Sequence, residues 1–252
     1  MTEYEKDRFA SLCLEDEESH PKDEICGINI YNEKRLHRIL KRTLCEDEGC
    51  FERKVGRYVA DILLGERIIE IQCASLYPLT DKIDYYLNGE RYEVTVVHPL
   101  SAEKRLIKAD RESGEIKSVR RSPKKENIWS ALPECYWLRE LIPDRRLRVR
   151  LMLISADEFR YSERVRGRRT GAYDSEYFPR ELLGDIVLCG SEDYRRFVPT
   201  ELRAAEGFGM AEYSRLSGLK GKKLSMALNL LCCLGILKKE KMGRKNIYYY
   251  QS

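Results

Sequence analysis

Two carboxylates lie inside consecutive apolar runs of the sequence, where strand cores are expected. Asp61 falls within residues 59–64, Glu70 falls within residues 68–71, and the junction between the runs is short enough for a hairpin. Because side chains alternate along a strand, Glu70 and Gln72 share one face, and Asp61 can approach Glu70 across the hairpin ladder. Two buried carboxylates repel each other and lose hydration, so a cation between them would favour both charges.

Hard oxygen ligands of this kind suit Mg²⁺ or Mn²⁺, with one or two carboxylates and a substrate phosphate around the ion. Such an ion lowers the pKa of a bound water and polarises a phosphodiester. The arrangement therefore predicts metal-assisted phosphodiester hydrolysis. The alternative is a structural ion pair between either acid and a nearby arginine, such as Arg57 or Arg67.

The elements around these acids predict an α/β core with a central buried sheet. Leu36, Ile39, Leu40 and Leu44 recur at helical spacing, and the two strands follow. A helix-like stretch over 76–87 comes next, and then the strand "YEVTVVHPL", which we expect Pro99 to stop. The order is helix, strand, strand, helix, strand.

The stretch "ADILLGERIIEIQCASL" within this order resembles the PD-(D/E)XK nuclease superfamily. It is most similar to the branch in which glutamine replaces the final lysine, as in nuclease-like competence proteins with an "EIQ" signature. The resemblance covers about residues 30–100. It implies a restriction-endonuclease-like core with a central mixed sheet, with Asp61 and Glu70 as metal ligands and Gln72 in the place of the lysine.

Glutamine is a neutral donor and acceptor, so Gln72 could orient a water but could not supply a positive charge. Lys82, in the following helix, could supply that charge, although a solvated helix face also accounts for it. Glu33 matches the helix acid that some members use as a third ligand, and Glu52 competes for that role. A favourable interaction with the helix dipole is the ordinary explanation of Glu33.

The charge of the chain is unevenly distributed around a net value of +4. Residues 1–27 carry 3 basic and 9 acidic groups, whereas residues 104–169 carry 19 and 10, and residues 203–252 carry 10 and 3. Two basic blocks beside an acidic leader indicate a protein that meets polyanions, with solvated surface charge as the alternative.

Residues 203–252 predict two helices followed by a hairpin and resemble a winged helix-turn-helix domain. Lys220, Lys222 and Lys223 lie at the turn into the second helix, and Arg244 and Lys245 lie at the wing. Cations at these two places suit the phosphates of a DNA duplex. Many winged helices bind protein instead, so both partners remain open.

The sequence thus predicts four segments: an acidic flexible or loosely docked leader (1–27), the nuclease-like core (28–125), an α/β extension or linker region (126–202) and the winged helix (203–252). The nine cysteines are odd in number and typical of reduced thiols, and no run is long and apolar enough for a membrane helix. We expect a cytoplasmic, prokaryotic DNA-binding hydrolase, and the sequence leaves open a homodimer. The alternative function is a non-catalytic nuclease fold that acts as a DNA-binding regulator or scaffold.

Overall fold

The computed structural model of the protein describes residues 1–19, 28–89, 91–110, 113–165 and 168–251. The helices in these ranges are α1 Glu3–Ser19, α2 Ile28–Leu44, α3 Thr80–Asn88, α4 Leu132–Cys135, α5 Thr200–Arg203, α6 Met210–Ser217 and α7 Gly221–Cys233. The strands are β1 Phe51–Val55, β2 Tyr58–Leu64, β3 Arg67–Ile71, β4 Glu93–Ala109, β5 Ile116–Arg121, β6 Leu147–Val165, β7 Arg168–Cys189, β8 Phe208–Gly209, β9 Leu237–Met242 and β10 Lys245–Tyr250.

A mixed sheet of seven strands forms the centre of the fold, in the order β1-β2-β3-β4-β6-β7 with β5 paired to β4. The sheet is mixed because β3 and β4 run parallel, whereas β2–β3 and β4–β5 are antiparallel. The α/β class with a central mixed sheet is therefore confirmed. None of the described helices is both long enough and apolar enough to cross a membrane.

The chain divides into two compact units. Unit 1 comprises Met1–Phe51, Pro99–Glu126 and Met152–Asp185, and unit 2 comprises Glu52–His98, Asn127–Leu151 and Ile186–Ser252. These boundaries differ from the four consecutive segments that the sequence predicted. Strands β4, β6 and β7 contribute residues to both units, so a division by consecutive segments could not describe them.

Unit 1 contains α1, which packs against α2. We expected residues 1–27 to form a flexible or loosely docked leader; residues 3–19 of it form a helix that docks on α2. Phe9, Leu12 and Cys13 recur at helical spacing and are buried, and Asp16 forms a 2.8 Å ion pair with Arg35 on α2. Residues 20–27 lie outside the described part of the chain.

The other half of unit 1 is built from long strands. β4 and β5 form a hairpin, with Arg105 opposite Arg121 and Ala109 opposite Ile116. A small apolar cluster joins these strands to β6 and β7 through Ile107, Ala109, Phe159, Tyr161 and Phe178. The basic run 160–171 lies in β6 and β7 where its backbone is described.

Unit 2 contains the predicted hairpin, with Ile62 opposite Ile69 and Leu64 opposite Arg67, and the predicted helix α3. The expectation that Pro99 stops the next strand was wrong, since β4 runs from Glu93 to Ala109. Proline fixes φ near −65°, which extended backbone tolerates, and its cost is a missing N–H. Pro99 lies between the segment paired with β3 and the segment paired with β5, so neither of these ladders loses a hydrogen bond there.

The C-terminal part of unit 2 has the two predicted helices, α6 and α7, followed by the β9–β10 hairpin. Strand β8 adds to this hairpin, which gives a second sheet in the order β8-β10-β9. We expected residues 203–252 to form a separate domain. They instead belong to unit 2, where α7 packs against α4 and buries Leu224, Ala227, Leu228, Leu230 and Leu231.

Candidate active site

Glu70 is the most deeply buried acid of the predicted site, with 1% of its surface exposed. Glu70 lies on β3, where successive side chains point to opposite faces of the sheet. Glu70 and its neighbour Ile69 therefore lie on opposite faces. Its Oε2 accepts a hydrogen bond from Lys82 Nζ at 2.6 Å. Its Oε1 has no hydrogen-bond partner within the described residues. Half of this buried carboxylate therefore lacks the partner that a buried polar group normally has.

Asp61 lies opposite Glu70 on β2, one position beyond the Ile62–Ile69 pair. Its Oδ2 accepts a hydrogen bond from the backbone N–H of Ile71 at 2.8 Å, which fixes the carboxylate at the end of the hairpin ladder. The register of a short hairpin is set by its turn and its apolar pattern, so the sequence could predict this pairing.

The electrostatics of the pair disfavour two negative charges. Burial and the charge of Asp61 together raise the pKa of Glu70 from 4.5 to about 7, although Lys82 acts in the opposite direction. The ammonium group of Lys82 therefore does not offset the effects of burial and of the Asp61 charge on the Glu70 pKa. Near neutral pH this arrangement holds a proton on Glu70, or would hold an added cation in its place.

Two side chains of helix α3 lie beside the Glu70 carboxylate. Lys82, whose side chain is 16% exposed, comes from its first half, as the sequence suggested. Tyr86, four residues later on the same helix face, is buried beside Glu70. Burial, the charge of Glu70 and a hydrogen-bonding interaction with its carboxylate raise the pKa of Tyr86, although the hydroxyl lacks ideal hydrogen-bond geometry with any described residue. We did not single out Tyr86 from the sequence, where only its spacing from Lys82 could have indicated it.

Gln72 follows directly after β3. Its backbone N–H donates to the carbonyl of Val97 at 2.9 Å, and its side-chain Nε2 donates to the carbonyl of Ser75 at 2.9 Å. The ring of His98 lies 2.7 Å from the Gln72 carbonyl oxygen through Nδ1. The Gln72 amide thus shapes the turn after the strand, and among the described residues no hydrogen bond to its Oε1 is formed, so this oxygen could accept one from a water or a substrate.

Within the described residues, neither Arg57 nor Arg67 forms an ion pair with Glu70. The Arg57 guanidinium lies 5.1 Å from the ring centroids of both Tyr58 and Tyr85, a cation–π geometry. The ion pair that the structure places on Glu70 comes from Lys82.

A third ligand is not evident in the described part of the structure. Glu33 lies on α2, but its side chain is outside the described residues. Glu52 is exposed at the start of β1 with φ of 52°. Among the described residues, no group of three or more His, Cys, Asp or Glu side chains could hold a metal ion. The site offers a carboxylate pair, which fits an ion that completes its shell with water and phosphate oxygens.

The predicted nucleic-acid contacts are all exposed. Lys220 precedes α7, Lys222 and Lys223 lie in its first turn, and Arg244 and Lys245 lie at the β9–β10 turn. Asn229 is also exposed on α7. None of these side chains is needed for the core of unit 2.

Comparison with known proteins gives a match to a family model. A family model described as a domain of unknown function (DUF8091) matches residues 34–188. The chain belongs to this family. The DUF8091 match contains Asp61, Glu70, Gln72 and Lys82 and ends before α6 and α7. No curated protein and no solved structure matches the chain.

Proposed function

We propose that Asp61 and Glu70 bind a divalent metal ion, Mg²⁺ or Mn²⁺, and that this DUF8091 protein hydrolyses phosphodiester bonds in DNA. The observation that carries the proposal is the Oε1 of Glu70, on a side chain that is only 1% exposed: it has no well-formed hydrogen bond among the described residues, and its neighbour is the Tyr86 hydroxyl. A buried carboxylate oxygen without a partner costs folding free energy, and a cation at this oxygen would remove that cost.

The charges support a divalent rather than a monovalent partner. Lys82 already bonds Oε2, yet the pKa of Glu70 stays at about 7 because burial and Asp61 outweigh it. An ion with two charges, bound between the carboxylates, would favour the ionised form of both. Carboxylate oxygens are also the ligands that Mg²⁺ and Mn²⁺ prefer.

The residues of the site have separable roles in this proposal. When bound, the ion lowers the pKa of a water and polarises the phosphodiester. Asp61 is oriented by the Ile71 N–H, and Lys82 is held in place by Glu70, where its ammonium group can stabilise negative charge that develops on the phosphate. The Oε1 of Gln72 can accept a hydrogen bond from the attacking water.

Two features support DNA as the substrate. The core order of helix, antiparallel hairpin, helix and parallel strand is compatible with a restriction-endonuclease-like domain, in keeping with the resemblance of "EIQ". The two helices and hairpin of 210–250, with exposed cations at the start of α7 and at the hairpin turn, are compatible with a winged helix that contacts phosphates.

The test is cleavage of labelled single-stranded and duplex DNA with Mg²⁺, Mn²⁺ or EDTA. We expect cutting that requires the metal and is lost in Asp61→Asn and Glu70→Gln, while Glu66→Gln, at the exposed hairpin turn, cuts like the wild type. Circular dichroism of each variant verifies its fold. Cutting that persists in EDTA, or in both site variants, would contradict the proposal.

A second function is favoured by the Lys82–Glu70 ion pair itself. A lysine that occupies Oε2, together with a glutamine in place of the motif lysine, is compatible with a non-catalytic DNA-binding regulator or scaffold. Wild-type protein that binds DNA, binds no metal and never cuts would favour this second function.

A further inference from the structure

Unit 1 has a pocket of about 300 Å³ that the proposed function does not use. Residues of β4 to β7 and of the segment after β5 line it, and five of its side chains are basic while three are acidic. All of these residues belong to unit 1. The excess of cations indicates an anionic ligand.

A buried acid holds two of the cations in fixed positions. Asp157, 2% exposed, accepts hydrogen bonds from Arg105 Nε and Nη2 at 2.6 Å each and from Arg180 Nε at 2.9 Å. Arg180 is further bonded to Glu17 through its other two nitrogens. The Arg105 guanidinium is therefore oriented in advance, and its Nη1 has no hydrogen-bond partner within the described residues.

Uncompensated positive charge faces this guanidinium. Arg121 lies directly opposite Arg105 in the β4–β5 ladder, and like charges at opposed positions destabilise a sheet. Arg121 and Lys125 both line the pocket, and neither has an ion pair or hydrogen bond from its side chain in the described part of the chain. An anion bound among these three cations would relieve their repulsion.

We propose that this pocket binds a phosphate group, as inorganic phosphate or as a terminal phosphomonoester. Arginine forks match phosphate oxygens in two-bond geometry, and Lys125 adds a point charge. Glu103 and Glu181, both exposed, also line the pocket, and Lys104 and Arg180 are ion-paired with Glu158 and Glu17. The cations left for a ligand are therefore few, which suits one phosphate group better than a long polyanion. The inference does not depend on the metal site in unit 2.

The chain provides a matched control on the same strand. Arg120 is adjacent to Arg121 on β5 but lies on the opposite face, across from Leu106, and it does not line the pocket. Arg121→Ala and Arg120→Ala therefore remove the same charge from the same exposed strand, and differ in whether the removed side chain faces the pocket.

The experiment is calorimetric titration of the full chain with inorganic phosphate, with adenosine 5′-monophosphate and with a short oligonucleotide that carries or lacks a 5′-phosphate. We expect binding that weakens at least tenfold in Arg121→Ala and Lys125→Ala and less than twofold in Arg120→Ala. Binding of phosphate and the mononucleotide identifies a free ligand, whereas binding of the 5′-phosphorylated oligonucleotide alone identifies a nucleic-acid end.

Two outcomes would overturn the proposal: wild type that binds none of the phosphorylated probes, or an equal loss of affinity in Arg120→Ala and Arg121→Ala. Asp61→Asn and Glu70→Gln should retain phosphate binding, so failure of the metal site and failure of this pocket are distinguishable.

Discussion

Replacement of Glu70 by glutamine should make unit 2 more stable at neutral and alkaline pH when no metal is present. The folded-state pKa of Glu70 is about 7 against an ordinary value of 4.5. A shift of this size corresponds to about 3 kcal/mol of folding free energy, at 1.36 kcal/mol per unit. Because the folded state holds the proton more tightly, this contribution is fully present below pH 4.5 and is lost as the pH rises through about 7.

The assay is urea unfolding in EDTA between pH 4.5 and 8.5, followed by tryptophan fluorescence. The two tryptophans of the chain, Trp129 and Trp137, both lie in unit 2 with Glu70. We expect Glu70→Gln and the wild type to have similar stability at pH 4.5, and the variant to be more stable by up to about 3 kcal/mol at pH 8.5. Other groups titrate in both proteins, so the difference between them isolates Glu70.

Glu66→Gln is the control, because Glu66 is an acid of the same hairpin with 67% of its side chain exposed. Its stability should follow the wild type within about 0.5 kcal/mol at every pH. A Glu70→Gln difference that does not change with pH, or that changes in the opposite direction, would refute the electrostatic account of the site.

Three further predictions concern other parts of the chain. Burial raises the pKa of Asp157, but hydrogen bonds from two arginines outweigh it and lower the pKa below its ordinary value. Asp157→Asn should therefore cost about 3 kcal/mol in urea unfolding at pH 7, and this cost should shrink from about pH 4 downwards, as the pH falls through the lowered pKa of the folded state. Gly56→Ala should lower the melting temperature more than Gly65→Ala. Both glycines have φ near 60°, but only a Cβ at position 56 would lie 1.9 Å from the Tyr85 hydroxyl. Equal decreases in melting temperature would contradict this contact. The double change of Lys222 and Lys223 to alanine should weaken DNA binding and reduce its salt slope by about 2, measured by fluorescence anisotropy; an unchanged slope would remove α7 from the interface.

The spacing of apolar residues along the sequence predicted that Asp61 and Glu70 lie together. The hairpin that opposes Asp61 and Glu70 follows from two short apolar runs, because the period of a strand and the length of its turn fix which residues meet. The helical spacing after the hairpin predicted α3, and with it the side that presents Lys82. The unpartnered oxygen of Glu70 could not be predicted, since it depends on the packing of Tyr86 and the neighbouring strands.

Contacts between distant segments were the part that the sequence did not reveal. Asp157 forms ion pairs with Arg105 and Arg180, and nothing in the sequence around either arginine indicates that Asp157 is its partner. Residues 3–19 looked like a solvated leader because acidic residues dominate their composition, yet a narrow stripe around Phe9 is enough to dock the helix. Because the long strands β4, β6 and β7 contribute residues to both units, a division of the sequence into consecutive domains could not predict the units.

The most direct test of the central claim is calorimetric titration of the wild type, Asp61→Asn and Glu70→Gln with Mn²⁺ at pH 6 and pH 8. We predict one ion per wild-type chain, no binding in either variant, and more proton release at pH 6, where Glu70 is still protonated before the metal binds. Equal Mn²⁺ binding by all three proteins, or no binding by the wild type, would contradict a metal centre at Asp61 and Glu70.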